Sequence, residues 1–252
     1  MTFNPKTDIP PLTGKVILVT GGNFYRHCPA TVWFAARDPA KGHAAADEIK
    51  RLIPCASIRT LALDLSSFDS VREAAKVVIQ ESSRRDIIML NAEIMATPPG
   101  LRANDYEIQF GTNYLGHALL TALLTPLLEK NRSYSRCRPG ILWTRALAKR
   151  CPQFTVAAVH PGVVQMNLLS GARDAPCLFR LIFGAAQILG LKSSVETGVK
   201  NQLWAAVSKD VVSGEYYEPV GVGGRPSAYA VDDEVVEEIW GWTMGEFKGH
   251  FV

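Results

Sequence analysis

The stretch LVTGGNFYRHCPATVWFAARD, Leu18 to Asp38, decides how the chain is built. Val16 to Thr20 is an apolar run that stops at Gly21-Gly22, and Thr31 to Ala36 is a second such run that ends at Arg37. Both read as buried strands. Only residues 21–30 lie between them, with Pro29 near the end. A parallel crossover beside six-residue strands must return about 20 Å, and such links normally take a dozen or more residues. Ten extended residues reach roughly 33 Å, whereas a helix climbs only about 1.5 Å per residue. The stretch therefore predicts two parallel strands joined by a largely extended link.

Outward from that stretch, short β-rich runs alternate with longer helical patterns. Strands are expected at Lys15–Thr20, Thr31–Ala36, Ile58–Leu63, Ile87–Asn91, Phe154–Val159 and Glu215–Glu218. Helices are expected at Ala40–Leu52, Phe68–Ser82, Asp105–Glu129, Ile141–Arg150, Ser194–Ser208 and Asp232–Phe247. The last begins with an Asp N-cap and puts Val235, Val236, Ile239, Trp240 and Thr243 on one stripe, a core-packing pattern. This alternation predicts an α/β fold with a mostly parallel sheet of about six strands. No linker divides the chain, so residues 1–252 are read as a single domain.

The 252 residues are 47% apolar and 20% charged, with no repeat or low-complexity tract, which suits one domain with a large core. The net charge of +3 is small and the basic residues are scattered, which argues against a nucleic-acid surface. Residues 1–15 carry no apolar run and read as neither a signal peptide nor a membrane span. The apolar stretch Cys177–Leu191 contains Arg180 and is too short to cross a bilayer, so it reads as a buried or substrate-covering helix. Five cysteines without metal-type spacing fit buried free thiols in a reducing, cytoplasmic compartment. The five histidines form no ligand pattern and each reads as a surface or hydrogen-bonded residue, so no metal is expected.

Seven ordered landmarks resemble the short-chain dehydrogenase/reductase family over nearly the whole chain. They are LTGKVILVTGG (12–22), AARDPAKG (35–42), LALDLSS (61–67), LNAEIM (90–95), TNYLGHALLT (112–121), VAAVHPGVV (156–164) and SGEYYEPVG (213–221). The resemblance is strongest to members that act on alcohols or carbonyls of lipophilic or secondary-metabolite substrates, including the retinol-dehydrogenase-like ones. It implies a Rossmann-like doubly wound sheet and a bound NADP. Gly21 and Gly22 would let backbone approach the pyrophosphate. Arg37 would meet a 2′-phosphate with Lys41 close behind, which favours NADP over NAD, although an Arg37–Asp38 pair at a helix start is a second reading. Asp64 would bond the adenine amino group, and Asn91 would lie beside the ribose. Asn113 would open its helix around a proton-relay water, a role in keeping with the poor helix propensity of asparagine. Pro161, Gly162 and Val164 would flank the nicotinamide. The resemblance also allows a homodimer formed through helices.

The chain departs from the family at defined places. The third glycine of the first turn and the crossover helix behind it have no counterpart in residues 21–30. Glu93 and Met166 stand where the family has glycine and threonine. Residues 130–140, KNRSYSRCRPG, are nearly free of apolar side chains, so no buried central strand is expected there and no serine ends one. The best match to the family's Tyr-x-x-x-Lys is Tyr134 with Arg138, as general acid/base and orienting cation. Pro139 behind Arg138 disfavours a helix through both. Two functions stay open at this point. One is an NADP-dependent alcohol/carbonyl oxidoreductase; the other is a non-catalytic relative, or the product of a gene model that lacks two segments.

Overall fold

Strand β1 (Val16–Thr20) is buried at every position, and the inner four residues of β2 (Thr31–Ala36) are buried too. Strands sheltered on both faces read as continuous apolar runs, which is why these two were legible. The structure is a computed structural model that describes residues 3–20, 29–95, 97–101, 103–129, 134–137, 140–162 and 195–251. After β2 come α1 (Pro39–Leu52), β3 (Ile58–Ala62), α2 (Phe68–Glu81) and β4 (Ile87–Leu90). Next are α3 (Ile108–Phe110), a π-helical turn (Gly111–Leu115), α4 (Gly116–Glu129), β5 (Tyr134–Cys137), α5 (Ile141–Arg150) and β6 (Thr155–Val159). The chain closes with α6 (Val195–Val207), β7 (Tyr216–Glu218), β8 (Val222–Gly223), α7 (Ala228–Val231) and α8 (Asp233–Glu246).

Among the described residues, eight strands form one sheet in the order β3-β2-β1-β4-β5-β6-β7-β8. All pairings are parallel except β7 with β8. This is a Rossmann-like α/β fold. Successive residues of one strand face opposite layers. Leu18, Trp33, Ala35, Ile88, Leu90 and Val156 pack with residues of α2, α4 and α5. Ile17, Val19, Val32, Phe34, Ile87 and Met89 pack with α1 and α6. Each fully buried Leu or Ile contributes about 1.5–3 kcal/mol relative to exposure. Caps seat the helices. Asp38 accepts from the Ala40 and Lys41 amides at 2.9 and 3.2 Å, Ser67 accepts from Ser70, and Asp232 from Glu234. Gly116 lets α4 approach the loop after β3, because a Cβ there would lie 2.1 Å from the Leu65 carbonyl oxygen.

Four expectations need correction or limit. The central slot is filled: Tyr134–Cys137 forms β5, in parallel register with Ile87–Leu90 on one side and with Thr155–Ala157 on the other. An open slot would strand the backbone polar groups of two buried strands, and four residues of main chain satisfy them whatever side chains they carry. With β5 and the short β8, the sheet has eight strands rather than about six. The expected loss of the first crossover helix falls on residues 21–28, outside the described residues, although β1 and β2 do lie side by side and parallel. Finally, Cys151 is a buried free thiol but Cys55 is disulfide-bonded, so the five cysteines are not all free. Cysteine spacing carries no information about which thiols meet in space.

Candidate functional site

The strand order reverses direction between β1 and β4, whose neighbours β2 and β5 follow connections leading to opposite sides. In open α/β sheets, ligands bind at the carboxyl ends of strands beside such a switch point. Here those ends carry Thr20 as the last residue of β1, Arg37 and Asp38 after β2, Asp64 after β3, Asn91 after β4 and His160-Pro161-Gly162 after β6. Sequence reasoning had placed Arg37, Asp64, Asn91, Pro161 and Gly162 at one site, and the fold does bring them to one edge.

Around the switch point the polar groups are knitted together. The Thr20 hydroxyl oxygen accepts from the amides of Asn91 (3.0 Å) and Ala92 (3.2 Å) and lies 3.0 Å from His117 Nε2. His117 Nδ1 lies 3.1 Å from the Asn113 carbonyl oxygen. The Asn113 side chain accepts from the Ile94 amide at 2.9 Å and donates to the Ile94 carbonyl at 2.8 Å. Asn113 sits in the π-helical turn, where the Gly116 amide reaches back to Gly111 rather than to Thr112. Such turns recur at functional sites, and the expectation that Asn113 marks an opened helix agrees with this geometry. Gln202 of α6 donates to the side-chain oxygen of Asn91. Its neighbour Asn201, fully buried, donates to the carbonyls of His160 (2.8 Å) and Tyr217 (3.1 Å) and accepts from the Gly221 amide (3.1 Å). Gly162, at φ +78°, donates its amide to His160 Nδ1 at 3.0 Å, closing the turn after Pro161.

The outer part of the site is simpler. Arg37 and Lys41 are exposed, and among the described residues the Arg37 guanidinium meets no carboxylate. Asp38, the alternative partner, is committed to capping α1. Asp64 is half-buried, and its carboxylate accepts from the Ser66 amide (2.9 Å) and hydroxyl (2.6 Å). Ser67 caps α2, so Asp64 is not needed there.

Of the expected acid/base pair, Tyr134 lies in a strand, in keeping with the expectation that Pro139 disfavours a helix through both residues, and Arg138 lies outside the described residues. Tyr134 opens strand β5, in register with Ile87 and Thr155 at the amino ends of their strands. Its backbone is thus about 10 Å of strand from the carboxyl edge. The reason is that the slot between β4 and β6 claims this backbone. Gly21, Gly22, Arg138 and Val164 lie outside the described residues, as do Met166 and Cys177–Leu191. Sequence reasoning missed Thr20, His117, Asn201 and Gln202. The one available signal was His117 following Asn113 by four residues on one helix, the spacing at which side chains meet.

No protein-family model matches the chain. An uncharacterized oxidoreductase of Schizosaccharomyces pombe is 30% identical, over 98% of this chain and 88% of the relative, in an alignment 307 positions long. A short-chain dehydrogenase/reductase of Aspergillus calidoustus is 28% identical over 95% of this chain and 96% of its own length. Retinol dehydrogenase 13 of Mus musculus is 29% identical over 93% and 83%. Among solved structures, an uncharacterized protein from Mycobacterium Paratuberculosis superposes with a TM-score of 0.73 at 23% identity, covering 98% of both chains. An alcohol dehydrogenase from the archaeon Thermococcus sibiricus complexed with 5-hydroxy-NADP gives 0.60 at 16% identity over 84% of this chain and 99% of that one. The fold, the switch-point edge and a 30% identical relative along nearly the full chain agree: the chain belongs to the short-chain dehydrogenase/reductase family of oxidoreductases.

Proposed function

We propose that the protein is an NADP-dependent oxidoreductase acting on an alcohol or carbonyl of a lipophilic small molecule. The observation that carries the cofactor choice is Arg37, exposed at the end of β2 with no carboxylate partner among the described residues, while Asp38 is tied up as a helix cap. A free guanidinium beside the adenosine ribose suits a 2′-phosphate, for which arginine offers paired donors. An acidic side chain at that place would suit the bare hydroxyls instead. Lys41, on the first turn of α1, adds a second positive charge. Asp64 holds an acceptor at the adenine end, and Asn91, steadied by Gln202, offers its amide to the ribose. The turn at Pro161-Gly162 presents backbone to the nicotinamide. Bound there, the reduced cofactor NADPH would supply a hydride to a carbonyl carbon, and the oxidised form NADP+ would accept one from an alcohol carbon. The retinol dehydrogenases among the relatives, together with the apolar stretch Cys177–Leu191, support a lipophilic substrate.

A specific observation favours a second reading, in which the protein binds the nucleotide without turnover. Tyr134, the best-matched proton donor, opens a strand at the amino side of the sheet. The alignment of 307 positions against 252 residues also contains relative positions without counterpart here, which fits segments lacking after residue 22 and after residue 130. The two readings separate in one experiment, titration of the protein with NADPH and NADH followed by a panel of retinal-like aldehydes and ketones. NADPH binding with consumption above background carries the oxidoreductase reading. Binding without consumption carries the second. An equal affinity for NADH and NADPH overturns the role of Arg37 in both.

A further inference from the structure

We infer that His117 is a positioning residue, held as the neutral Nδ1–H tautomer, which fixes the Asn91–Ile94 segment of the cofactor edge through Thr20 on one side and Asn113 on the other. The inference rests on the switch-point edge being the nucleotide site. His117 is fully buried on α4, 97 residues away in sequence from the threonine it meets.

The direction of each bond follows from donor and acceptor counts. A threonine hydroxyl has one hydrogen and two acceptor positions. The Asn91 and Ala92 amides occupy both acceptor positions of Thr20. Its hydrogen therefore points to His117 Nε2 at 3.0 Å, and that nitrogen carries no proton. The Asn113 carbonyl can only accept, so Nδ1 at 3.1 Å carries the ring proton. The tautomer is set by the network, since each ring nitrogen is assigned by what the other side of its bond can do.

One neutral ring thereby reaches both ends of a four-residue turn. At the first end it orients the hydroxyl that gathers the Asn91 and Ala92 amides. At the second end it braces the π-helical turn from which the Asn113 side chain grips both the amide and the carbonyl of Ile94. Asn91, at the first end, shares its side chain with Gln202 at the nucleotide edge. A hydrophobic side chain of similar size at 117 would keep the packing and lose both bonds.

The test reads the ring directly. In the protein labelled with 15N-histidine, long-range proton–nitrogen NMR should show His117 protonated at Nδ1, the minor tautomer of free histidine. Amide hydrogen exchange at Asn91 and Ala92 should then speed up at least about tenfold in His117→Leu and in Thr20→Val, with the double variant no faster than either single one. NADPH should bind about tenfold more weakly to each. A proton on Nε2, or exchange at Asn91 and Ala92 unchanged in both single variants, overturns the proposal. Should His117→Leu fail to fold, the wild-type tautomer and Thr20→Val still decide. A wild-type protein that does not bind NADPH would sink the cofactor reading alone, because tautomer and exchange are measured without nucleotide.

Discussion

Two edges of one sheet bury polar side chains, and they do so with opposite chemistry. At the amino-terminal edge the chain buries charge. Asp86, nearly inaccessible, accepts from the Val16 amide at 2.9 Å and from the Lys15 ammonium at 3.1 Å, and pairs with Arg84. Next to it Arg85 is fully buried, with its guanidinium 5.3 Å from the Trp33 ring centre and donating to the Val78 carbonyl at 2.9 Å. Burial, with Arg59 nearby, pulls Arg85 down to about 10. At the carboxyl-terminal edge the linked side chains, buried Thr20, His117 and Asn201 and half-buried Asn113, include no carboxylate, lysine or arginine. Arg37 and Lys41, the basic side chains read into that edge that lie among the described residues, stay at the surface. Buried charge is tolerable only when it is paired and hydrogen-bonded. At the amino edge Asp86 meets that demand with three partners, while Arg85 relies on carbonyl acceptors and the Trp33 ring, and its Nε finds no hydrogen-bond partner among the described residues. The carboxyl edge holds its backbone through hydroxyl, imidazole and carboxamide groups and leaves Arg37 and Lys41 exposed.

That contrast can be broken in graded ways. The largest effect is expected at Gly116, where a methyl group would run into the Leu65 backbone. Gly116→Ala should cost about 3 kcal/mol, because overpacking against main chain cannot be relieved by a side-chain rotation. A denaturant midpoint equal to wild type would show that α4 is not held so close. Next comes Asp86→Asn, expected to cost about 2 kcal/mol near neutral pH, since it leaves buried donors facing a weaker acceptor. Burial alone would raise the Asp86 carboxyl, but the bonds from Arg84, Val16 and Lys15 outweigh it and hold it below the usual carboxylate range. Its contribution is therefore complete above the unfolded value of about 3.9 and is lost as pH falls through the lower folded value. The difference between wild type and Asp86→Asn should accordingly close in acid. A gap that persists at pH 2 would remove the charge from the explanation.

The third effect is one of binding rather than folding. Arg37→Ala should weaken NADPH by roughly 10- to 100-fold, the size of one lost charge-assisted pair at about 1.5–3 kcal/mol. NADH affinity and thermal stability should barely change. Isothermal titration with both nucleotides reads this, and parallel losses for the two would make Arg37 a structural residue after all. The smallest effect belongs to the exposed pair Arg59–Glu81, 2.7 Å apart with both side chains about half accessible. Glu81→Gln should shift stability by less than about 0.5 kcal/mol, as surface pairs do. A loss comparable to that of Asp86→Asn would mean that exposure, not burial, governs the amino edge.

Which parts of this could be read without coordinates follows from what each part depends on. The runs Val16–Thr20, Thr31–Ala36 and Ile87–Leu90 announce themselves because strands covered on both faces are mostly apolar. Helix starts at Asp38, Ser67 and Asp232 are equally legible, since capping is a local contract between a side chain and amides two or three residues on. Asn113 stood out as a poor helix former in mid-helix, and the π turn lies around it. Strand β5 escaped because its reason is not in YSRC but in the flanking strands, whose backbone would otherwise go unpaired.

The site divides along the same line. Arg37, Asp64, Asn91, Pro161 and Gly162 follow strand ends, so knowing the strands in order was enough to gather them on one edge. The bonds of Thr20 with His117, of Asn91 with Gln202 and of Asn201 with Tyr217 join residues 97, 111 and 16 positions apart. Periodicity, capping and turn chemistry act within a few residues and are written into the order of amino acids. Which distant polar group satisfies which is settled only when close-packed layers leave each buried donor a single acceptor within reach.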